Sequence, residues 1–208
     1  MSSVLDQLAS ASGQAKQDLN IALARKIAEE KNTGLVNELI SGLNHKTRSI
    51  RHDCIKTLYE IANLQPSLIS PHSSVFISLL ENKDNRMQWG CLIALSAITS
   101  TVPEQVFSAL PQLIYIADQG SVIKRDYCVR IFILLSTHRK YQHTVMPLLL
   151  GQLLLAPVNQ APAYAEQIYN VLTKRYKADF EEILLMRLND TEQESRRKRL
   201  ENVLKKLK

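Results

Sequence analysis

The sequence predicts an all-α protein built from repeated helix–turn–helix units. Three observations lead to this prediction. The 208 residues include only 6 glycines and 7 prolines, which leaves few places for the tight turns of a β-sheet protein. Long stretches of Leu, Ile, Ala, Lys and Glu favour helix, and no stretch alternates apolar and polar residues for long enough to compete as a strand. The third observation is an internal repeat of 37 residues.

The repeat is marked by the three cysteines of the chain, Cys54, Cys91 and Cys128, which are 37 residues apart. Positions four and seven residues after each cysteine are apolar, and this interval places them on one face of a helix. A fourth copy of the pattern has Ala165 in place of the cysteine. The apolar pairs of the four copies are, in order, Leu58 and Ile61, Leu95 and Ile98, Phe132 and Leu135, and Tyr169 and Leu172.

A first helix is predicted upstream of each of these helices. Positions 15 and 11 residues before each anchor are apolar, and they are Leu39 and Leu43, Phe76 and Leu80, Leu113 and Ala117, and Leu150 and Leu154. Polar stretches at 44–47, 82–85 and 118–121 supply caps between the two helices. Pro66 and Pro103 fall where a second helix should have ended. Each copy is therefore read as helix, turn, helix.

The repeated cysteines are expected to be packing residues. A small side chain at this position fits where the neighbouring helix leaves little space, and a larger one would overpack it. Stacked units are roughly 10 Å apart, which is too far for a disulfide or a shared zinc ion. An odd number of cysteines without an export signal also indicates reduced thiols.

The start of each second helix resembles the HEAT repeat, in which an aliphatic–arginine pair precedes a small residue. The first copy, "IRHDC" at 50–54, fits this pattern. The second, "MQWGC" at 87–91, has Gln88 where the arginine would stand. The third, "KRDYC" at 124–128, keeps Arg125 but begins with a lysine.

This resemblance implies a right-handed α-solenoid, a superhelix of stacked two-helix units, over a single domain at 1–208. A degenerate N-terminal helical unit is expected at 1–32 and four 37-residue repeats at 33–178. Capping helices with a basic end are expected at 179–208. Such caps are needed because a repeat cannot bury its own apolar face alone.

No catalytic chemistry is predicted. The five histidines are scattered without metal-ligand spacing, and there is no glycine-rich phosphate loop or nucleophile elbow. We therefore expect no enzyme activity, no metal, no cofactor and no small-molecule substrate. The longest apolar stretch, at 145–158, is shorter than the roughly 20 residues of a membrane span. No secretory signal is visible, so a cytoplasmic location without membrane contact is expected.

A protein-binding surface is predicted on the second helices. At about 100° per residue, some positions point away from the core, and in HEAT proteins this face lines the concave surface. The candidates are His52, Lys56, Tyr59, Trp89, Ile93, Asp126, Arg130 and Ile133. A tryptophan among isoleucines is typical of an interface core. The alternative is that Trp89 packs between repeats, and that Asp126 and Arg130 are merely an i, i+4 pair.

The positive charge is concentrated at the C-terminal end. The net charge of the chain is +6, and the residues from 196 to 208 account for all of it. A patch formed by Arg196, Arg197, Lys198 and Arg199 could contact nucleic acid or an acidic partner. Such a run equally suits the solvated face of a last helix, whose C-terminus favours cations.

Two functions from different classes follow. The first is a non-enzymatic protein–protein interaction module or scaffold, whose concave face binds a peptide or helix of a protein partner of unknown identity. The alternative is a nucleic-acid-binding protein related to the HEAT-type alkylpurine DNA glycosylases. Those enzymes use concave-face tryptophans and an aspartate, and Trp89 and Asp126 occupy equivalent positions here. The chain departs from them in having one tryptophan and a groove of mixed charge.

Overall fold

The structure, a computed structural model, describes residues 3–11 and 17–207. Over these residues the chain is helical and contains no β-strand, which confirms the all-α prediction. The chain forms two compact units, the first ending at Tyr127 and the second beginning at Cys128. The predicted division into an N-terminal unit, four repeats and capping helices stays a prediction. Residues 1, 2, 12–16 and 208 lie outside the described part.

The first unit consists of pairs of helices joined by short polar turns. Its α-helices are α1 (Gln17–Glu30), α2 (Thr33–Gly42), α3 (Arg48–Leu64), α4 (Pro66–Ile69), α5 (Ser73–Ser78), α6 (Asn85–Ile98), α7 (Pro103–Ser108), α8 (Leu110–Gln119) and the start of α9 (Val122–Ser136). Short 3₁₀ turns lie at Val4–Gln7, Ser70–His72 and Leu79–Glu81. The helices α3, α6 and α9 carry the three cysteines, as the repeat predicts.

Of the polar stretches predicted to supply caps, 82–85 does so through Asp84, whereas Thr47 at the start of α3 makes no side-chain capping bond. A further cap comes from Asn32, which lies outside those stretches. Asn32 accepts a hydrogen bond from the backbone of Leu35 at the start of α2. Asp84 does the same for the backbone of Arg86 at the start of α6. Pro66 and Pro103 each occupy the first position of the next helix, where a missing backbone N–H costs nothing.

The core of the first unit is formed by the predicted apolar positions. All of them are at most 2% exposed, namely Leu39, Leu43, Leu58, Ile61, Phe76, Leu80, Leu95, Ile98, Leu113 and Ala117. The space around Cys54 is as narrow as expected, since a Cβ atom added at Gly42 would lie only 2.5 Å from Cys54 Sγ. Burial raises the pKa of the Cys54 and Cys91 thiols to about 12. These thiols pack in the core and stay protonated at neutral pH.

The side chain three residues before each cysteine donates to a backbone carbonyl at the end of the preceding helix or in the turn that follows it. Arg51 Nη1 donates to the His45 carbonyl at 2.7 Å, and Arg125 Nε donates to the Ala117 carbonyl at 2.8 Å. Gln88 holds the equivalent position and donates to the Leu80 carbonyl. Carbonyls in the last turn of a helix and in the turn after it have no partner within the helix, so a long side-chain donor stabilises this region. This explains why glutamine can replace arginine in the second copy.

The second unit contains the rest of α9 and four further α-helices. They are α10 (Arg139–Leu154), α11 (Ala161–Tyr169), α12 (Lys177–Asn189) and α13 (Glu194–Leu207), with a 3₁₀ turn at Lys174–Tyr176. Phe132, Leu135 and Cys128 are fully buried here, as predicted.

The fourth copy of the pattern departs from the prediction at three positions. Tyr169 is half-buried, whereas Ile168 before it is fully buried. Leu154 is 40% exposed instead of buried, because α10 buries Leu149 and Leu153 along a stripe one residue earlier. The helix α11 ends at Tyr169, so Leu172 lies beyond it and is half-buried. The predicted burial of Leu154 is therefore wrong.

The cap of α10 also comes from a different place. In the fourth copy the capping position is Pro162, which has no side-chain donor. Arg187 on α12 is buried instead and donates to the Leu154 carbonyl at 3.3 Å and the Ala156 carbonyl at 2.7 Å. A guanidinium from α12 thus supplies the donor at the end of α10 that Pro162 lacks.

Candidate functional site

Trp89 lies in the second turn of α6 and is half-buried. Its ring packs against Tyr59 of α3, with the ring centroids 6.2 Å apart and the planes tilted by 56°. Its Nε1 is shielded from solvent and donates to no residue in the described part of the chain. Because Nε1 is the only polar atom of the side chain, the exposed part of the indole offers carbon atoms alone.

Tyr59 packs against Trp89 and Lys56 packs against Tyr59, so neither residue forms an exposed surface. Lys56 Nζ lies 5.5 Å from the Tyr59 ring centroid and 3.4 Å from the Glu60 carboxylate. Both Lys56 and Tyr59 are buried. The expectation that they are exposed is wrong, because α3 and α6 pack side by side and close over this face. Any binding role of the two residues stays a prediction.

The face of α6 changes from open to buried within one turn. Ile93, four residues after Trp89, is only 6% exposed, so its expected exposure is also wrong. On α9, Asp126 is half-buried and belongs to the first unit. Arg130 is exposed and Ile133 half-buried, and both belong to the second unit.

His52 is part of a charged cluster between α3 and α6. Its Nε2 lies 2.8 Å from Asp84 Oδ2, and Arg48 Nε donates to the same oxygen at 2.8 Å. Burial alone would raise the pKa of the Asp84 carboxyl, but the hydrogen bonds from Arg48, His52 and the backbone of Arg86 outweigh it. The pKa therefore lies well below its usual range. The sequence signalled Asp84 only as a helix cap, not as the partner of His52.

A cleft opens beside Trp89 and is called the Trp89 cleft below. Its volume is about 500 Å³, and its lining residues are Asn85, Arg86, Trp89, Gln119, Gly120, Ser121, Ile123 and Lys124. The first three belong to the start of α6, and the others lie at the end of α8, in the two-residue turn after it and at the start of α9. Ile123 is 54% exposed, so an apolar side chain stands open to solvent near the indole. Periodicity did not predict this cleft, since it joins the ends of different helices.

The basic run at the C-terminal end is the start of α13, and two of its four cations have partners on the protein. Arg199 donates to both carboxylate oxygens of Glu166, at 2.8 and 2.6 Å. Arg197 donates to Glu201 at 3.2 Å and to the Leu188 carbonyl at 2.9 Å. Arg196 is half-buried and Lys198 is exposed. Hydrogen bonding to Arg199 lowers the pKa of the Glu166 carboxyl.

Metal sites and membrane-spanning helices are both absent from the described residues. Within them, no group of three or more His, Cys, Asp or Glu side chains could hold a metal ion. No helix in the same residues is both long and apolar enough to cross a bilayer.

Comparison with known proteins supports the fold. No protein-family model matches the sequence, and no curated protein matches it. A designed armadillo repeat protein in complex with the peptide (KR)4 superposes with a TM-score of 0.70 at 16% identity, covering 90% of this chain and 86% of that one. Computationally designed armadillo repeat proteins for modular peptide recognition give 0.66 at 16% identity, covering 97% of each chain.

A natural protein shows the same likeness. The armadillo repeats only protein from Plasmodium falciparum gives a TM-score of 0.62 at 16% identity, covering 93% of this chain and 98% of that one. The fold is thus that of a HEAT- and armadillo-like α-solenoid, as the sequence predicted.

Proposed function

We propose that this α-solenoid is a non-enzymatic protein-interaction module, and that the Trp89 cleft receives an apolar side chain from a segment of a partner protein. The observation that carries the proposal is the half-exposed tryptophan at the wall of an open cleft. Large, rigid aromatic side chains at the centre of a surface supply much of the binding energy of protein interfaces.

The surroundings of Trp89 suit an anchor. Tyr59 packs on its ring and fixes its position, so little side-chain freedom is lost when a partner binds. The exposed Ile123 offers a second apolar contact in the same cleft. An indole that shows only carbon atoms gives an apolar contact and leaves no exposed donor unpaired.

The other predicted surface residues take secondary places in this proposal. Tyr59 packs against the indole and Lys56 against Tyr59, so both act by holding Trp89 in place, and the buried Ile93 helps to fix α6. His52 is bound to Asp84 and acts in the same indirect way. Asp126 remains a candidate contact on the first unit, and Arg130 and Ile133 remain candidates on the second.

Proteins of similar structure agree with this class of function. One designed armadillo repeat protein was solved with the peptide (KR)4, and others were designed for modular peptide recognition. These proteins share the fold of this chain at 16% identity. They support a peptide-binding role without identifying the peptide.

The proposal is tested by affinity capture followed by quantitative binding. Proteins captured by the parent are identified by mass spectrometry, and the binding segment is measured again in purified form. Trp89→Ala should weaken this binding at least about tenfold, which corresponds to 1.4 kcal/mol. Ile123→Ser, at an exposed position, should weaken it without affecting folding.

Tyr115→Ala is the matched control. Tyr115 is an aromatic residue of the same unit, is 70% exposed on α8 and does not line the Trp89 cleft. Its replacement should leave binding unchanged. Unchanged binding by both Trp89→Ala and Ile123→Ser, or a loss with Tyr115→Ala alone, would contradict the proposal.

A further inference from the structure

We infer that the partner segment is acidic, with an Asp or Glu side chain bound by Arg86 and Lys124 beside the apolar side chain that contacts Trp89. This inference rests on the proposed function and adds the charge of the partner. It follows from the charges of the cleft and from what each charge contacts.

The lining of the Trp89 cleft carries positive charge alone. Among its eight residues, Arg86 and Lys124 are cations, and none is acidic. The Arg86 guanidinium forms no hydrogen bond or ion pair within the described part of the chain. Lys124 Nζ donates to the amide oxygen of Asn85 at 2.8 Å, and a neutral amide does not compensate the charge.

The acidic groups near the cleft are already engaged. Asp84, two residues before Arg86, binds Arg48 and His52 through the same carboxylate oxygen. Its other oxygen accepts from the backbone of Arg86 and caps α6. Asp118 and Asp126 do not line the cleft, and each has contacts of its own. The positive charge of the cleft is thus left for a ligand.

The start of α9 adds to this field. Ser121, Ile123 and Lys124 lie at or next to its first turn, where the backbone N–H groups give a partial positive charge. A carboxylate is an acceptor-only group and matches such a set of donors. The exposed Ile123 and the carbon edge of Trp89 favour a ligand that also carries an apolar group to contact them.

The expected preference is moderate. Exposed ion pairs contribute little individually, and salt screens them further. Two pairs at the edge of an apolar contact, where water is partly excluded, should together favour an acidic ligand about fivefold to tenfold over a neutral one.

The probe is a set of three pools of short, dye-labelled peptides with blocked termini. Each pool has Leu, Phe or Met at its centre, and the flanking residues are Asp and Glu, Asn and Gln, or Lys and Arg. Binding to the full chain is measured by fluorescence anisotropy at low and at physiological salt. A labelled single-stranded oligonucleotide forms a fourth arm, because nucleic acid would also seek positive charge.

Four variants locate the effect. Arg86→Gln combined with Lys124→Gln removes the two charges of the cleft, and Arg86→Lys combined with Lys124→Arg keeps them. Lys46→Gln combined with Lys83→Gln changes the net charge equally at exposed positions outside the cleft. Trp89→Ala removes the apolar anchor. Thermal unfolding confirms that each variant is folded.

The parent should bind the acidic pool about fivefold to tenfold more tightly than the neutral pool. The glutamine pair in the cleft should abolish this preference and leave neutral-pool binding unchanged, whereas the other two pairs should retain it. Equal binding of acidic and neutral pools, tighter binding of the basic pool, or a preference that survives the glutamine pair would overturn the inference.

The other outcomes separate the inference from the proposed function. If charge has no effect but Trp89→Ala still weakens every pool, the inference fails and the interaction module stands. If the oligonucleotide binds more tightly than the acidic pool, and the glutamine pair abolishes that binding, the acidic-peptide inference fails. If no pool binds, both fail.

Discussion

Two regions of the molecule carry clustered positive charge, and they differ in what that charge contacts. In the Trp89 cleft, Arg86 has no side-chain partner in the described residues, and Lys124 meets only a neutral amide. On α13, by contrast, Arg199 is bound by Glu166, and Arg197 by Glu201 and a backbone carbonyl. A count of charges along the chain therefore does not show which cations are available to a ligand.

The apolar surroundings sharpen this difference. The cations of the Trp89 cleft lie beside an exposed isoleucine and a half-exposed indole, whereas those of α13 lie on a solvated helix surface. Binding surfaces combine an apolar anchor with a polar rim, and only the first region has both. The following predictions test this contrast, from the largest expected effect to the smallest.

The largest effect is expected for Trp89→Ala. A central aromatic anchor commonly contributes about 2 kcal/mol or more to binding, so the affinity for the captured partner should fall more than tenfold. The free energy of unfolding should fall less than it does when a buried aromatic residue is replaced, because the indole is half-exposed. Phe76→Ala, at a fully buried position, is the reference and should cost roughly 3–5 kcal/mol. Denaturant titration of both variants measures the difference.

A second effect concerns Asp84, whose carboxylate is held by Arg48 and His52. Asp84→Asn keeps a good helix cap but removes charge-assisted hydrogen bonds, so stability at neutral pH should fall by about 1–2 kcal/mol. The folded-state pKa is lowered, so this contribution is present above the ordinary pKa of 3.8 and is lost as the pH falls through the lowered value.

Urea titrations at neutral and acidic pH check the Asp84 prediction. The difference between parent and variant should shrink as the pH falls below 3.8. A difference that is constant with pH would show that the carboxylate is not stabilised by its partners. The charge preference of the Trp89 cleft should be unchanged, since Asp84 does not line it.

A smaller effect is expected for Glu166→Gln on the α13 side of the comparison. Both partners of this ion pair are over 40% exposed, so solvent screening limits its contribution to less than about 1 kcal/mol. Arg199 lowers the pKa of Glu166, so the contribution is present above the ordinary value of 4.5 and vanishes at more acidic pH. Thermal unfolding at neutral and acidic pH measures it.

The smallest effect concerns nucleic-acid binding by α13. If Arg196, Arg197, Lys198 and Arg199 all contacted phosphates, their replacement by glutamine would lower the salt slope by about four units. Because Arg197 and Arg199 already have protein partners, we expect a decrease of no more than about two. Binding isotherms over a salt series decide between these values. A decrease in the salt slope of about four units would contradict the view that two of these cations are already paired within the protein.

The core was predictable from the sequence because it depends on local spacing. Leu58 and Ile61 lie on one face of one helix, and their burial follows from the helical period alone. The fourth copy failed at Leu154, where the buried stripe of α10 is displaced by one residue and the 37-residue offset no longer applies.

The candidate site was only partly predictable because it depends on contacts distant in sequence. Trp89 was singled out by its position, but the burial of Lys56 and Tyr59 is caused by a neighbouring helix that a single helical period does not reveal. The pairing of His52 with Asp84 joins residues 32 apart. Arg199 and Glu166 are 33 apart, so the sequence could not show that the basic run is partly neutralised.

The most direct test of the account is to block the Trp89 cleft chemically. Cys54, Cys91 and Cys128 are fully buried, so a thiol introduced on the surface can be labelled selectively. Gln119→Cys places this thiol in the lining of the cleft, and Ser100→Cys places one at an exposed position outside it. A bulky maleimide is then attached to each variant.

Binding of the peptide pool that the parent binds most tightly is measured before and after labelling. We predict that labelled Gln119→Cys loses at least about tenfold in affinity, or 1.4 kcal/mol, while labelled Ser100→Cys binds like the parent. If labelled Gln119→Cys binds as tightly as before, the ligand does not occupy the Trp89 cleft and the central claim is wrong.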